Sequence, residues 1–285
     1  MAVRSESLEP LMMIGVVLFS IMAGAFGALM GLGGGLIIVP ILMSVFGVEP
    51  KVAIAASIVS VIATSCTGSS IYCARGQVNI RLGILLETAT VIGAITGALL
   101  TAVYLPKNAI MALFIGILIY AALYMRFHSE KIIPPTYSAK NAFCNSYYDE
   151  KSCCTVEYEP TGFAKGLGAS FLAGNMSGML GVGGGLIKVP AMNGMMNVPI
   201  KAAIATSTFM IGITAAASAY IYYTNDWFNP LLTSFVAVGV FIGAWTGARM
   251  ARKIHAVNLR NAFILVILLM AVLLIFKLIV EVGWL

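Results

Sequence analysis

The chain has 285 residues, of which 60% are hydrophobic and 10% charged, with a net charge of +6 and a mean hydropathy of +0.97. Soluble domains carry roughly 25% charged residues, so this composition excludes a water-covered globule and indicates an integral membrane protein. The positive balance fits basic loops on a cytoplasmic face and does not indicate a nucleic-acid partner.

The first ten residues are polar, and an apolar stretch then runs over 11–48. A helix needs about 20 apolar residues to cross the hydrocarbon core. Ala23-Gly24-Ala25 has the form of a signal-peptide cleavage site. The run is too long for a signal sequence, however, and its counterpart recurs mid-chain. It is interrupted by GLGGGLIIVP, Gly31 to Pro40. Glycine costs a helix about 1 kcal/mol relative to alanine, and proline about 3 kcal/mol, so this string predicts a broken helix. Residues 36–46 amount to about 16 Å of helix, too short to cross. A span followed by a shorter returning helix makes no net crossing.

Three ordinary spans follow, over 52–74, 82–105 and 108–125. Cys66 and Cys73 read as packing residues in the first of them. Glu87 lies six residues past Arg81. It is a candidate carrier of a coupling proton, although an ion pair with Arg81 near the interface is the plainer expectation. Residues 126–162 are polar and broken by Pro134-Pro135. Within them 145–148 and 155–158, flanking Asp149-Glu150-Lys151, predict a small β-hairpin. Cys144, Cys153 and Cys154 lie here. Their spacing fits no standard zinc pattern and only His128 and His255 could add imidazole, so plain loop cysteines are expected, with no metal and no cofactor.

The second half repeats the first. Apolar stretches run over 163–200, 202–223, 231–248 and 259–280, and GVGGGLIKVP begins at Gly181. One constant offset of 150 pairs Gly24 with Gly174, Lys51 with Lys201, Ser57 with Ser207, Tyr72 with Tyr222 and Asn108 with Asn258. Gly93-x-x-x-Gly97 and Gly243-x-x-x-Gly247 correspond as well, and both are close-packing patterns of membrane helices. The expected fold is an all-α integral membrane protein of two homologous halves, 1–125 and 163–285. Each half holds a glycine-interrupted helix and three spanning helices. Arg75 and Arg81 follow the second element of half one, where half two has no cation. Arg249, Arg252, Lys253 and Arg260 follow the third element of half two, where half one offers only Lys107. Because Lys and Arg accumulate in cytoplasmic loops, the halves are expected to be inverted, with 126–162 in the cytoplasm.

Irregular backbone at membrane depth survives only where protein buries it or where it lines a wet cavity. In inverted-repeat transporters, half-helix N-termini at such breaks face an anionic substrate, because their N–H groups lack internal partners. Gly33, Gly34 and Gly35, with Gly183, Gly184 and Gly185, are therefore the expected anion cradle. Ser57, Thr206 and Ser207 follow as hydroxyl donors. Lys188 replaces Ile38 three residues past the second glycine triplet; a lysine inside a membrane segment is a functional candidate, with a snorkelling side chain as the alternative. Asn175 and Asn193 flank the second motif and could line the same cavity. Lys277 and Glu281 form an i,i+4 pair with a structural role.

The repeated G-x-G-G-G-x-x-x-V-P, the segment Ala205-Thr206-Ser207-Thr208-Phe209-Met210-Ile211-Gly212, and the G-A-x-x-G-A element before a basic loop resemble the sulfite exporter TauE/SafE family. The resemblance implies a multi-pass permease of the cell membrane, not an enzyme. Its partner would be a small sulfur-containing anion such as sulfite or an organosulfonate, with a proton or sodium ion as coupling partner. An anion channel using the same site, or a sulfur-transfer protein using Cys153 and Cys154, are the competing expectations.

Overall fold

The computed structural model describes residues 10–127, 142–149, 153–250 and 256–282. The first half gives α1 (Pro10–Met30), α2 (Gly35–Ser44), α3 (Pro50–Ala74), α4 (Ile80–Val103) and α5 (Lys107–Phe127). A hairpin of β1 (Asn145–Asp149) and β2 (Cys154–Tyr158) follows. The second half gives α6 (Phe163–Leu180), α7 (Gly185–Met195), α8 (Ile200–Thr224), α9 (Pro230–Met250) and α10 (Ala256–Val282). Among the described residues, five helices are long and apolar enough to cross a membrane: Met12–Met30, Pro50–Ala74, Ile80–Val103, Ile200–Thr224 and Pro230–Met250. The protein is therefore a helical, multi-pass membrane protein.

Local chemistry places the helix ends. Pro50 opens α3, where its missing N–H leaves no bond unmade. Asn79 caps α4, its Oδ1 accepting from the Leu82 N–H at 3.1 Å, and Asn229 does the same for Leu232 at 3.1 Å. These two caps stand at the repeat offset.

The halves interlock. Helix α1 packs along α9 and α4 packs along α6. A Cβ at Gly93 or Gly97 would fall on the carbonyl oxygen of Phe171 or Asn175, and one at Gly243 or Gly247 on that of Ile21 or Ala25. The paired positions rise together along both chains, so each pair runs parallel, and glycine on the shared face permits the close approach. Helices α3 and α8 meet differently. Lys51, at the start of α3, lies over the ring of Trp227, just past the end of α8, at 4.5 Å. Further along α3, the Ser65 hydroxyl donates to the carbonyl of Thr208, early in α8, at 2.6 Å. These two helices run antiparallel, and Val61 and Ile211, equivalent in the repeat, both meet Gly33 where they cross.

Cys66 and Cys73 are exposed, which corrects their reading as packing residues. The inner face of α3 is taken by Ser57, Ser60, Val61, Thr64 and Ser65, and the two thiols fall on the opposite side.

The hairpin pairs antiparallel, from Asn145 against Tyr158 to Asp149 against Cys154. Tyr147 and Tyr158 are buried with Val189, Met192 and Val198. Burial pushes the Tyr158 phenol up to about 12. The Asn79 amide donates to the Phe143 carbonyl at 2.8 Å, Arg81 to that of Ala142 at 2.9 Å, and the Thr161 N–H to that of Met196 at 3.0 Å. The segment is thereby pinned to the α3–α4 turn and the far end of α7. Pro134, Pro135, His128, His255, Arg252, Lys253, Glu150 and Lys151, and the side chains of Arg260 and Glu281, lie outside the described residues.

Candidate functional site

The helical backbone stops at Met30 and resumes at Gly35, and it stops at Leu180 and resumes at Gly185. Between these points Gly31, Gly33 and Gly34 have φ of 69°, 80° and 74°, and Gly181, Gly183 and Gly184 have 67°, 80° and 71°. An L side chain is disfavoured in this left-handed region, so three of the four positions in each loop call for glycine. Gly35 and Gly185 meet a different demand. A Cβ on Gly35 would fall on the carbonyl oxygen of Gly181, and one on Gly185 on that of Gly31. The two loops lie backbone against backbone, each touching the other at equivalent positions.

The serines expected at the site hold these loops. Ser57 donates to the Gly181 carbonyl at 3.0 Å, and Ser207 to the Gly31 carbonyl at 3.1 Å. Each hydroxyl therefore crosses to the opposite half and satisfies a carbonyl that the left-handed turn leaves without a helical partner. Tyr72 and Tyr222 complete the frame, donating to the carbonyls of Ala28 and Gly178, each at 3.0 Å.

Helices α2 and α7 begin at this contact. Their first N–H groups have no acceptor within the helix. Among the described residues, those of Gly34, Gly35 and Leu36, and of Gly184, Gly185 and Leu186, meet no backbone or side-chain acceptor. Two positive helix ends thus converge in the protein interior. The space is closed: Val61 and Ile211 wall both Gly33 and Gly183. A cavity of about 20 Å³ touches Gly184, Val182 and Leu186, which is room for a single water.

The other expected residues are distributed. Thr206 is buried at the hairpin end, where its hydroxyl accepts the Asn79 N–H at 3.0 Å. Asn175 donates to Thr96 at 3.1 Å across the α4–α6 seam. Asn193 donates to the Val198 carbonyl at 3.0 Å, at the far end of α7. None of the three lines the space between the glycine loops.

Lys188 and Glu87 meet each other. The Lys188 ammonium stands 3.4 Å from the Glu87 carboxylate, with Lys188 1% and Glu87 4% exposed. Thr214 joins them, accepting from Lys188 at 2.8 Å and donating to the second carboxylate oxygen. The expected Glu87–Arg81 pair is corrected: Arg81 turns outward to the Ala142 carbonyl. Lys188 does not snorkel, because α4 and α8 enclose it. The signal for this pair lay in the repeat, since Glu87 and Lys188 stand opposite Ala237 and Ile38, and Thr214 opposite Thr64.

The family model for the sulfite exporter TauE/SafE matches residues 16–274. "Probable membrane transporter protein YunE" of Bacillus subtilis (strain 168) is 26% identical over 270 residues, covering 92% of this chain and 97% of that one. "Probable membrane transporter protein MJ0441" of Methanocaldococcus jannaschii is 22% identical, covering 86% and 88%. "Sulfite exporter TauE/SafE family protein 3" of Arabidopsis thaliana is 35% identical over 98 residues, covering 34% of this chain and 20% of that one. No solved structure matches the chain.

Proposed function

The chain belongs to the sulfite exporter TauE/SafE family of membrane transporters, and we propose that it moves small sulfur-containing anions, such as sulfite or an organosulfonate, by alternating access between two inverted halves. The observation that carries this reading is the meeting of the α2 and α7 N-termini. Converging helix ends with unpartnered N–H groups repel each other and favour an anion between them. The contact between the halves is also where a rocking motion would open a path from either side. The closed packing around Gly33 and Gly183 then corresponds to an occluded state.

Inversion is supported by the antiparallel course of α3 and α8, which are equivalent in the repeat; a two-fold axis along the membrane normal would make them parallel. It is supported too by the sharing of one end by the hairpin and the Arg75–Arg81 turn. On this reading that end is cytoplasmic.

The test is flux of labelled sulfite, thiosulfate and sulfonates in proteoliposomes, with and without imposed proton and sodium gradients. Gradient-driven accumulation of a sulfur anion is the expected result. Flux that only follows the anion's own gradient would indicate a facilitator.

A further inference from the structure

We propose that Glu87, Thr214 and Lys188 form the proton-coupling site of this transporter, at which the substrate anion and the Glu87 carboxylate compete for the Lys188 ammonium. This rests on the anion-transporter reading and deepens it by naming the coupling ion.

The repeat supplies an internal comparison. At the equivalent place in the first-half motif stand Ile38, Ala237 and Thr64. Ile38 is buried there, and Thr64 donates along its own helix to the Ser60 carbonyl at 2.9 Å. The same packing is therefore held with no charge at all. A buried ion pair is often no more stabilising than apolar residues of similar volume, and ionisable residues inside a membrane protein mark ion and substrate pathways. The pair stands on one side only of an otherwise two-fold arrangement, and it bridges the halves: Glu87 on α4, Lys188 on α7 and Thr214 on α8.

Position links the pair to the glycine loops. Lys188 lies in the first turn of α7, its N–H bonded to the Gly184 carbonyl at 3.1 Å. Helical side chains lean toward the helix N-terminus, which brings the Lys188 chain back toward the amides of Gly184 and Gly185. An anion seated on those amides draws the ammonium to itself. Glu87 then keeps only the Thr214 hydroxyl, and an unpaired carboxylate is strongly disfavoured in this interior. It takes a proton from water, onto a carboxylate oxygen. The cluster passes from carboxylate and ammonium to carboxylic acid, ammonium and anion. For a monovalent anion the added charges cancel. Release of the anion returns Lys188 to Glu87 and expels the proton, so anion and proton travel together.

Other charged and titratable groups on the surrounding helices are engaged elsewhere. Arg81 of α4 binds the Ala142 carbonyl, and Lys165 of α6 is exposed. Lys201 lies in the first turn of α8, more than three turns from Thr214. On α3, Lys51 covers Trp227, Tyr72 binds the Ala28 carbonyl, Arg75 follows the last turn, and Cys66 and Cys73 are exposed. On α8, Tyr222 binds the Gly178 carbonyl, and Tyr220 and Tyr223 are exposed.

The test is calorimetric binding of thiosulfate, sulfate and methanesulfonate, none of which titrates near neutrality, to the detergent-solubilised full chain. Paired buffers of different ionisation enthalpy count the protons exchanged. The wild-type protein is expected to take up a proton with each anion bound, and Glu87→Gln to bind with that uptake lost. In proteoliposomes Glu87→Gln should still exchange labelled anion while losing accumulation driven by a proton gradient. Wild-type binding without proton uptake overturns the proposal, as does uptake that persists in Glu87→Gln. The wild-type count decides the matter even if the variant does not fold. Absence of binding by any of these anions or by sulfite would instead remove the anion-transporter reading beneath it.

Discussion

The Ser57 hydroxyl donates to the Gly181 carbonyl at 3.0 Å, joining a helix of the first half to the glycine loop of the second. Ser207 mirrors it on Gly31 at 3.1 Å. A hydrogen bond of this kind contributes about 1 kcal/mol net. Ser57→Ala and Ser207→Ala should therefore each lower unfolding stability by about 1 kcal/mol and by similar amounts. Denaturant titration in detergent measures this. A far larger loss of anion affinity than of stability would show that the hydroxyls ligate substrate instead.

Gly35 and Gly185 test the contact between the loops. A methyl at either position lands on a carbonyl of the other half, so Gly35→Ala or Gly185→Ala must push the halves apart. Overpacking costs about 1–3 kcal/mol, and transport that depends on this contact should be lost with it. Gly116→Ala and Gly168→Ala are the controls. Nothing lies near either added methyl, and each lies within a helix, where alanine is favoured over glycine by about 1 kcal/mol. Melting temperature and flux for the four variants separate backbone contact from general sensitivity to glycine replacement.

The ion pair predicts non-additivity. Lys188→Met leaves a buried carboxylate without its countercharge, and such single removals cost about 3–5 kcal/mol. The double variant Glu87→Gln/Lys188→Met leaves no charge and imitates the first-half counterpart, so it should recover most of that stability while anion binding stays lost. A double-mutant cycle measures the coupling. Lys277→Ala is the comparison for function. Lys277 donates to the Met43 carbonyl on α2, away from Glu87, and its removal should weaken anion binding less than that of Lys188.

These relationships were unequally legible in the amino-acid order. The membrane class followed from composition, because 10% charge cannot cover a globule. The family followed from the glycines, since left-handed turns and backbone contacts admit almost no other residue and so preserve a readable pattern. The repeat singles out Glu87 and Lys188 as charged where the other half has Ala237 and Ile38, but it does not say that the two meet. Arg81 is near in sequence, but α4 packs on α6 and α8, and that enclosure brings Lys188 from 101 residues away. Thr206 and Ser207 are adjacent in sequence, yet one reaches Asn79 and the other Gly31. Consecutive residues of a helix project about 100° apart, so adjacency there argued against a shared site.

The hairpin gives a pH dependence. The Tyr158 phenol is raised from 10.0 to about 12 by burial. Its folded value lies above its unfolded one, so its contribution is fully present below pH 10.0 and is lost as pH rises toward about 12. Docking of the segment should loosen across that window. Limited proteolysis of 142–162 as a function of pH reads this directly, and Tyr158→Phe should remove the tyrosine-dependent part of the change.

Cysteine accessibility tests the orientation. Cys153 and Cys154 are exposed on the hairpin, which is pinned to the α3–α4 turn carrying Arg75 and Arg81. On the proposed orientation that turn faces the cytoplasm, so a membrane-impermeant maleimide should label these thiols in inside-out vesicles and spare them in intact cells. Cys66 lies on the exposed side of α3 within an apolar span, where its thiol lacks the water needed to ionise, whereas Cys73 stands next to the Arg75 end of the helix and is replaced by serine in every sample. A Cys153→Ser/Cys154→Ser/Cys144→Ser variant should lose the labelling and keep full transport, because none of the three approaches the glycine loops. Labelling from the outside of intact cells would reverse the assigned orientation, and loss of transport in the triple variant would return sulfur chemistry at the hairpin to consideration.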